Sequence, residues 1–157
     1  MGDHLDAFQP LDPDFEQRVR NSFARQGAMR LIGAQLGRVE PGRVDIELPF
    51  REDLSQQHGF FHAGITSTVA DSAGGYAAYT LFPADSSVLT VEFKINLIAP
   101  AQGEKLIATG RVKKAGRTLT ICEFEVAAIQ GGRGKTCALG LQTLMCMQGR
   151  TDMPQSG

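Results

Sequence analysis

The sequence lacks an excess of charge of either sign. Its 157 residues contain 16 Lys plus Arg and 17 Asp plus Glu, which leaves a formal net charge of −1 at pH 7. A chain without a net positive field has no general means of holding a phosphate backbone, so nucleic-acid binding is disfavoured. The length and the 42% of hydrophobic residues fit one domain with a full core.

Long hydrophobic runs are also missing. No stretch reaches the roughly 18 consecutive apolar residues that a membrane-spanning helix needs. The first ten residues, MGDHLDAFQP, contain neither the basic region nor the apolar region of a signal peptide. The sequence therefore predicts a soluble, cytoplasmic protein without a membrane partner.

Cysteine is scarce, and its pattern excludes a disulfide framework. Cys122, Cys137 and Cys146 are odd in number, widely spaced and embedded in strand-like runs, which predicts reduced thiols in the core. His58 and His62 could bind a metal together, but no third ligand accompanies them at ligand spacing, so no metal site is predicted. The sequence also has no P-loop and no GxGxxG after a strand, so no nucleotide cofactor is expected.

What the chain does contain is a helix, two strands, a long central helix and further strands, in that order. The first helix is predicted to start at Asp12 and Pro13 and to end near Gln26, with its arginines and Glu16 facing water. Strands are predicted over 34–40, 43–50, 89–97, 104–112, 118–129 and 135–147. All of them can pair antiparallel, which predicts the α+β class and the hotdog arrangement, one sheet wrapped around one helix.

The domain is predicted to span residues 12–148, between a flexible arm (1–11) and a flexible tail (149–157). In the strand over 89–97, apolar residues at odd positions alternate with Thr90 and Glu92 at even positions, which predicts one buried side. The last two strands are apolar on both faces. Two-sided burial in so small a domain predicts that another subunit covers one sheet face.

Asp71 stands out because it is the only carboxylate, lysine or arginine between Asp53 and Asp85. The helix around it has an apolar side and a side of small residues that let other backbones approach. A carboxylate in such surroundings is paired, protonated or functional, since burying an unpaired charge is costly. Asp71 is therefore either a structural acid bonded to a hydroxyl or N–H group, or a catalytic group.

The start of the central helix is the second candidate. His62, Ala63 and Gly64 lie where the first backbone N–H groups have no intrahelical partner, and such a helix end can stabilise an oxyanion. Asp71 follows His62 by nine residues, which places it about 10–13 Å further along the axis. One small reacting centre cannot easily touch both groups of one chain. A symmetric dimer, with the helix end of one subunit facing the carboxylate of the other, removes the difficulty.

A third candidate is the basic turn predicted between the strands over 104–112 and 118–129. Lys113, Lys114, Arg117 and Thr118 could hold the phosphates of a nucleotide, or could form a solvated hairpin. Aromatic residues near the helix could line an apolar tunnel or pack in the core; they are Phe60, Phe61, Tyr76, Tyr79 and Phe82.

The run HGFFHAGITSTVADSAGGYAA, with PGRVDIELPF before it and VEFKINLIAPAQGEKL after it, resembles the hotdog-fold acyl-CoA thioesterases of the phenylacetyl-CoA thioesterase-like family. The likeness spans residues 28–147. The family motif places an HGG at the start of the central helix and an Asp nine residues after the His. Both spacings recur here, with Ala63 in place of the first Gly.

The resemblance implies a set of roles. Asp71 corresponds to the catalytic carboxylate, and the N–H of Ala63 or Gly64 to the group that polarises the thioester carbonyl. Gln56 stands where the family has an Asn, and Thr90 matches the hydroxyl that assists the water. The resemblance also implies a homotetramer built from two dimers and an acyl-CoA substrate, with coenzyme A as part of the substrate and no separate cofactor.

Two other functions remain open on the same fold. One is a hydratase or dehydratase acting on acyl-CoA or acyl carrier protein. Those enzymes pair an acid with a His five residues further along the helix, where this chain has Tyr76, or a helix Glu with a proline-rich His loop, whereas QQHGFFHAG has no proline. The other is a non-catalytic acyl-CoA-binding module.

Overall fold

A computed structural model describes residues 8–153 of the chain. The helices are α1 (Phe15–Arg25), α2 (Gly27–Ile32) and α3 (Ala63–Tyr79), with a short 3-10 helix over Glu52–Leu54. The strands are β1 (Gln35–Glu40), β2 (Arg43–Pro49), β3 (Ser86–Leu97), β4 (Lys105–Lys114), β5 (Leu119–Gln130) and β6 (Arg133–Gln148). None of the described helices is both long and apolar enough to cross a membrane.

The six strands form one antiparallel sheet in the order β1-β2-β4-β5-β6-β3. α3 packs across the concave face of this sheet, and eleven of its 17 residues, from Thr66 to Tyr79, are buried. The closest approach is at Gly110 of β4, where a Cβ would collide with the backbone of Ala73 and Gly74. The prediction of an α+β fold with a sheet wrapped around a long central helix is confirmed.

The N-terminal helix starts later than predicted. α1 begins at Phe15, and Asp14 at its N-cap makes no side-chain capping bond. The Asp12 carboxylate instead accepts from the N–H of Asp14 at 2.9 Å and pairs with Arg18 at 2.9 Å. The prediction that Asp12 and Pro13 start the helix is therefore wrong, because this carboxylate closes a turn just before the helix.

Two further features of this region differ from the prediction. Arg18 does not face water, since its side chain is only 15% exposed and donates to backbone carbonyls at the end of α3. The short helix α2 was not predicted. It is separated from α1 by the extended backbone of Gln26 and ends at Gly33, which is in the left-handed conformation. Its six residues are too few to show the apolar spacing of an amphipathic helix.

Strand β3 contains a bulge that the alternating pattern does not reveal. Thr90 pairs with Leu144, but Glu92 pairs with Thr143, so Val91 is an extra residue in the ladder. Cross-strand partners share a face, and Leu144 points into the core. Thr90 therefore lies on the inner face together with Phe93, which corrects the predicted alternation of even and odd positions.

The three cysteines are buried and free, as predicted. Burial raises the pKa of Cys122 to about 12, so this thiol stays protonated at neutral pH. The predicted arm and tail lie partly outside the described residues. Within the described part, Phe8 packs against Gly42 and Asp152 pairs with Arg25 at 2.8 Å, while the boundaries of arm and tail stay predictions.

Candidate active site

Asp71 lies in the middle of α3, half-buried, with its carboxylate turned toward strands β3 and β6. Thr90 Oγ1 donates to Asp71 Oδ1 at 2.7 Å, a normal distance for an O–H···O hydrogen bond. Gln142 Nε2 donates to the same oxygen at 3.0 Å. Asp71 Oδ2 has no hydrogen-bond partner among residues 8–153, so one oxygen is held and the other is free.

The contact between Asp71 and Thr90 depends on the bulge in β3. Without Val91 as an extra residue, Thr90 and Phe93 would lie on opposite faces of β3 and could not both face the helix. The family resemblance assigned Asp71 as the catalytic carboxylate and Thr90 as the hydroxyl that assists the water, and the structure brings these two predicted site residues together. Their catalytic roles stay predictions.

Gln142 is the residue at this site that the sequence did not indicate. It lies on β6, is 2% exposed, and also donates to the backbone carbonyl of Asp71 at 3.2 Å. The strand around it has apolar residues at both odd and even positions, so its pattern does not indicate which side faces the helix. One polar side chain at an inward position was the only available signal.

The start of α3 forms the second half of the candidate site. His62 is the N-cap, and its Nδ1 accepts from the N–H of Gly64 at 2.9 Å. This bond places the imidazole proton on Nε2 in the neutral ring. The N–H of Ala63 has no partner among the described residues and is the open donor at this positive helix end, whereas the N–H of Gly64 is occupied.

Gln56 lies in the loop before α3, close to this helix start. Its Oε1 accepts from the N–H of His58, so the side chain folds back over its own loop. Gln56 and Ala63 both line a cavity of about 180 Å³ that also includes Phe60, Phe61 and Cys137. The structure therefore brings Gln56, His62 and Ala63 to one end of the helix.

Within one chain, these residues do not meet Asp71. Asp71 is eight residues into α3 from Ala63, which corresponds to about 12 Å of helix axis. A thioester carbonyl spans far less than this distance. The separation that the sequence predicted between Asp71 and the helix start is therefore present in the structure.

The basic turn between β4 and β5 lies far from the helix start of the same chain. Residues 113–118 are exposed, and Lys113 pairs with Glu123 at 3.4 Å. The turn adjoins the end of β6, where the backbone N–H of Cys146 donates to the carbonyl of Thr118. The helix start adjoins Cys137, which lies nearer the beginning of the same strand. Nine residues of strand separate these two cysteines, or about 30 Å.

Most of the aromatic residues that flank the motif pack in the core. Phe61, Tyr76, Tyr79 and Phe82 are each less than 5% exposed. Burial raises the pKa of Tyr76 and of Tyr79. Tyr76 also lines a cavity of about 120 Å³ beside Asp71, where its hydroxyl lies 3.1 Å from that of Ser22. The residues described contain no group of three His, Cys, Asp or Glu side chains placed to hold a metal ion.

Known proteins resemble this chain in both sequence and fold. The model of the "Thioesterase superfamily" matches residues 58–135, which include the helix start at Ala63, Asp71 and Thr90. A crystal structure of a thioesterase family protein from Silicibacter pomeroyi superposes with a TM-score of 0.84 and is 47% identical, covering 86% of this chain and 99% of that one.

Two curated proteins extend the comparison. A protein of Saccharolobus solfataricus that is named as an esterase is 30% identical over 67% of this chain and 74% of its own length. Acyl-coenzyme A thioesterase 13 of Homo sapiens is 28% identical over 80% of this chain and 85% of its own. The expectations of a hotdog fold and of thioester hydrolysis are confirmed, and the chain belongs to the thioesterase superfamily.

Proposed function

We propose that this thioester hydrolase acts on acyl-CoA, with a medium- or long-chain or an aryl acyl group. The relative named as an acyl-coenzyme A thioesterase supports coenzyme A as the thiol half of the substrate. The observation that carries the mechanism is the Asp71 carboxylate, with Oδ1 held by Thr90 and Oδ2 free. Such a carboxylate is oriented for reaction at one oxygen.

In the proposed reaction, the N–H of Ala63 donates to the thioester carbonyl oxygen and stabilises the negative charge that develops there. Asp71 takes a proton from water as the water oxygen attacks the carbonyl carbon. The C–S bond then breaks, and the thiolate of coenzyme A leaves and is protonated. The products are a free acid and coenzyme A, and no separate cofactor takes part.

Asp71 could instead attack the carbonyl carbon directly, which expels the coenzyme A thiolate and forms an acyl anhydride that water hydrolyses at the side-chain carbonyl carbon of Asp71. A single turnover in water labelled with oxygen-18 distinguishes the two routes. A general base leaves the label in the product acid. A nucleophile gives the first product an unlabelled oxygen from Asp71 and leaves the label on the enzyme.

We propose that the active unit is at least a dimer, in which the helix start of one chain faces Asp71 and Thr90 of its partner. The two edges of the sheet support this assembly. β1 is six residues long, has charged side chains and is interrupted by an irregularity between Leu36 and Val39, features that protect an edge. β3 is twelve residues long and exposes Leu89, Val91, Phe93 and Leu97. A long apolar edge of this kind calls for a covering strand.

A second interface would make the dimer a tetramer, as the family resemblance implies. The outer face of the sheet exposes Leu119, Leu139 and Leu141, at 46%, 41% and 56% of their surface. Exposed leucines on neighbouring strands form a patch that another subunit can bury. Light scattering and crosslinking would measure the number of chains directly.

We propose that Lys113, Lys114, Arg117 and Thr118 form the rim that binds the nucleotide phosphates of coenzyme A. Their exposure and positive charge suit this role. The measurement is KM for acyl-CoA and for acyl-pantetheine, which lacks the nucleotide. Arg117→Ala should raise KM for acyl-CoA alone, and an unchanged KM for both would place the phosphates elsewhere.

We propose that the acyl group occupies the space that begins beside Asp71. The cavity of about 120 Å³ at this carboxylate shares Ser22, Gln26 and Tyr76 with a larger one of about 420 Å³ that extends toward Arg150. Such a space could take an aliphatic chain or an aromatic ring. The compartment we propose is the cytoplasm, which the three buried free thiols support.

The central experiment is a panel of acyl-CoA thioesters, hydrolysed by the wild type and by Asp71→Asn. The variant keeps the shape of the side chain and loses its basicity, so turnover should fall by about 10²–10⁴. Circular dichroism and light scattering check that fold and oligomer are retained. Wild-type turnover in Asp71→Asn would exclude the assigned role.

Mixing variants tests whether each site is shared between chains. Asp71→Asn would be mixed with a chain inactivated at both Gln56 and His62. A mixed dimer holds one site with all defects and one with none, so up to about half of the wild-type activity per mixed dimer should return. No recovery despite proven subunit exchange would mean that each site is built within one chain.

A further inference from the structure

Gln142 is a buried amide on a strand that is otherwise apolar toward the helix. Its inward neighbours two residues away in sequence are Gly140 and Leu144, and Cys146 follows. Gln142 is 2% exposed, which is rare for a polar side chain of this size unless its groups are bonded. What it bonds to is Asp71.

The amide nitrogen of Gln142 makes two contacts with one residue. Nε2 donates to Asp71 Oδ1 at 3.0 Å and to the Asp71 backbone carbonyl at 3.2 Å. Thr90 donates to the same Oδ1. The two side chains thus fix the carboxylate through a single oxygen, and Oδ2 is the oxygen left for a reacting atom.

The orientation of the amide follows from its surroundings. Both groups of Asp71 that it meets are acceptors, so only the NH₂ side can face them. The opposite atom, Oε1, is buried and has no hydrogen-bond partner in the described part of the chain. A buried acceptor without a partner destabilises a fold, and an apolar side chain of similar volume would avoid this cost.

Gly74 makes the arrangement possible. It lies one turn after Asp71 on the same helix, and a Cβ at this position would collide with Gln142 Oε1 and approach its Cδ to 2.7 Å. Any larger residue would displace the amide from Asp71. The neighbouring Gly75 has no such contact, since a Cβ there would meet nothing within 4 Å.

We propose that Gln142 is a positioning residue, which holds Asp71 Oδ1 so that Oδ2 faces the thioester and its attacking water. The inference rests on the proposed function of Asp71. It explains why a costly buried amide lies at this position and why the helix carries a glycine opposite it. Gln142 itself does not touch the reacting atoms.

The test replaces the amide by an apolar side chain of the same length, Gln142→Met. Loss of one donor to a carboxylate should lower kcat by about 10- to 100-fold. KM should stay within about twofold, because the substrate does not contact Gln142. The matched control is Gln148→Met, an exposed glutamine at the end of the same strand, which should change neither constant.

Gln142→Glu provides a signature that a purely structural role would not produce. Two carboxylates this close share one proton, and the protonated Glu side chain can again donate to Asp71. As the pH rises and the shared proton is lost, the two charges repel and turnover falls. The activity optimum of this variant should therefore lie at lower pH than that of the wild type.

Gly74→Ala tests the same contact from the helix side. It should lower kcat like Gln142→Met, but should have little further effect in a Gln142→Ala background, where the collision is removed. A wild-type kcat in Gln142→Met, with wild-type turnover established, would overturn this inference and leave the proposed function intact. A wild type that hydrolyses no thioester would overturn both.

Discussion

The two ends of α3 differ in how their backbone groups are hydrogen-bonded. At the C-terminal end, Arg18 donates to the carbonyls of Tyr79, Phe82 and Pro83 at 3.1, 2.7 and 2.6 Å. Its guanidinium also lies 4.3 Å above the centre of the Tyr79 ring. At the N-terminal end, the only side-chain bond to a backbone N–H that residues 8–153 provide is the one from Gly64 N–H to His62 Nδ1.

In the proposed function, this contrast separates stability from catalysis along one helix. A cation at the C-terminal end satisfies carbonyls that lack intrahelical partners and complements the negative end of the macrodipole. At the N-terminal end, the N–H of Ala63 has no partner among the described residues, and Ala63 lines a cavity. An open, positive helix end is poorly stabilised by its own chain and is suited to an oxyanion from elsewhere.

The strongest way to test the contrast is Ala63→Pro. Ala63 is the first helical residue, where proline fits the helix, and His62 before it has the extended backbone that proline prefers. The substitution therefore deletes the N–H with little effect on the fold. If this group is the oxyanion donor, kcat should fall by about 10²–10³.

Ala63→Ser is the control for this prediction, since it keeps the N–H and adds only a small side chain. Steady-state kinetics would be compared at equal fractions of folded protein. If Ala63→Pro and Ala63→Ser hydrolyse thioesters equally well, the helix start does not polarise the carbonyl.

Local patterns were sufficient to predict most elements of this fold. The apolar spacing from Ile65 predicts α3, and the pair Pro41-Gly42 predicts the turn between β1 and β2. These features depend on residues close together in sequence. Asp71 could be singled out for the same reason, because it is a lone charge in a local apolar pattern.

The features that escaped prediction depend on distant contacts. Arg18 meets α3 across 61 residues of sequence, and Gln142 meets Asp71 across 71. The bulge at Val91 adds one residue to a ladder, which leaves the apolar alternation intact while changing which face Thr90 occupies. A sequence pattern records spacing along one strand, whereas the bulge is defined by the partner strand.

Removing Arg18 tests the closed end of α3, which is the C-terminal end where Arg18 bonds to the carbonyls. Arg18→Met keeps much of the apolar side chain but removes the donor that Arg18 supplies to the carbonyls at the end of α3 and the ion-pair partner of Asp12. The free energy of unfolding should fall by about 2–4 kcal/mol. For a domain of this size, the melting temperature should drop by roughly 5–15 °C. The folded variant should retain its kcat.

Arg20→Met is the matched control two residues away. Arg20 pairs with Glu16 on the exposed side of α1, at 41% and 53% exposure, so its loss should cost at most about 0.5 kcal/mol. Equal melting temperatures for the two variants would mean that Arg18 does not stabilise the helix end. A large loss of kcat in folded Arg18→Met would mean that the closed end also serves function.

The smallest expected effect concerns the cap at the open end. His62→Ala removes the acceptor for the N–H of Gly64, and loss of an N-cap typically costs about 1 kcal/mol. His62→Asn supplies a side-chain oxygen that caps as well as any residue, so it should unfold at the same temperature as the wild type or slightly above. Thermal unfolding of the three proteins measures the capping contribution alone.

Turnover of His62→Asn then isolates what the imidazole adds beyond the cap. The family resemblance assigns His62 to the site, so kcat should fall in His62→Asn although the helix start is preserved. Equal loss of kcat in His62→Asn and His62→Ala would assign the effect to the ring itself. Full activity in His62→Asn would instead make His62 a capping residue, and the open end would then act through the Ala63 N–H without help from the histidine.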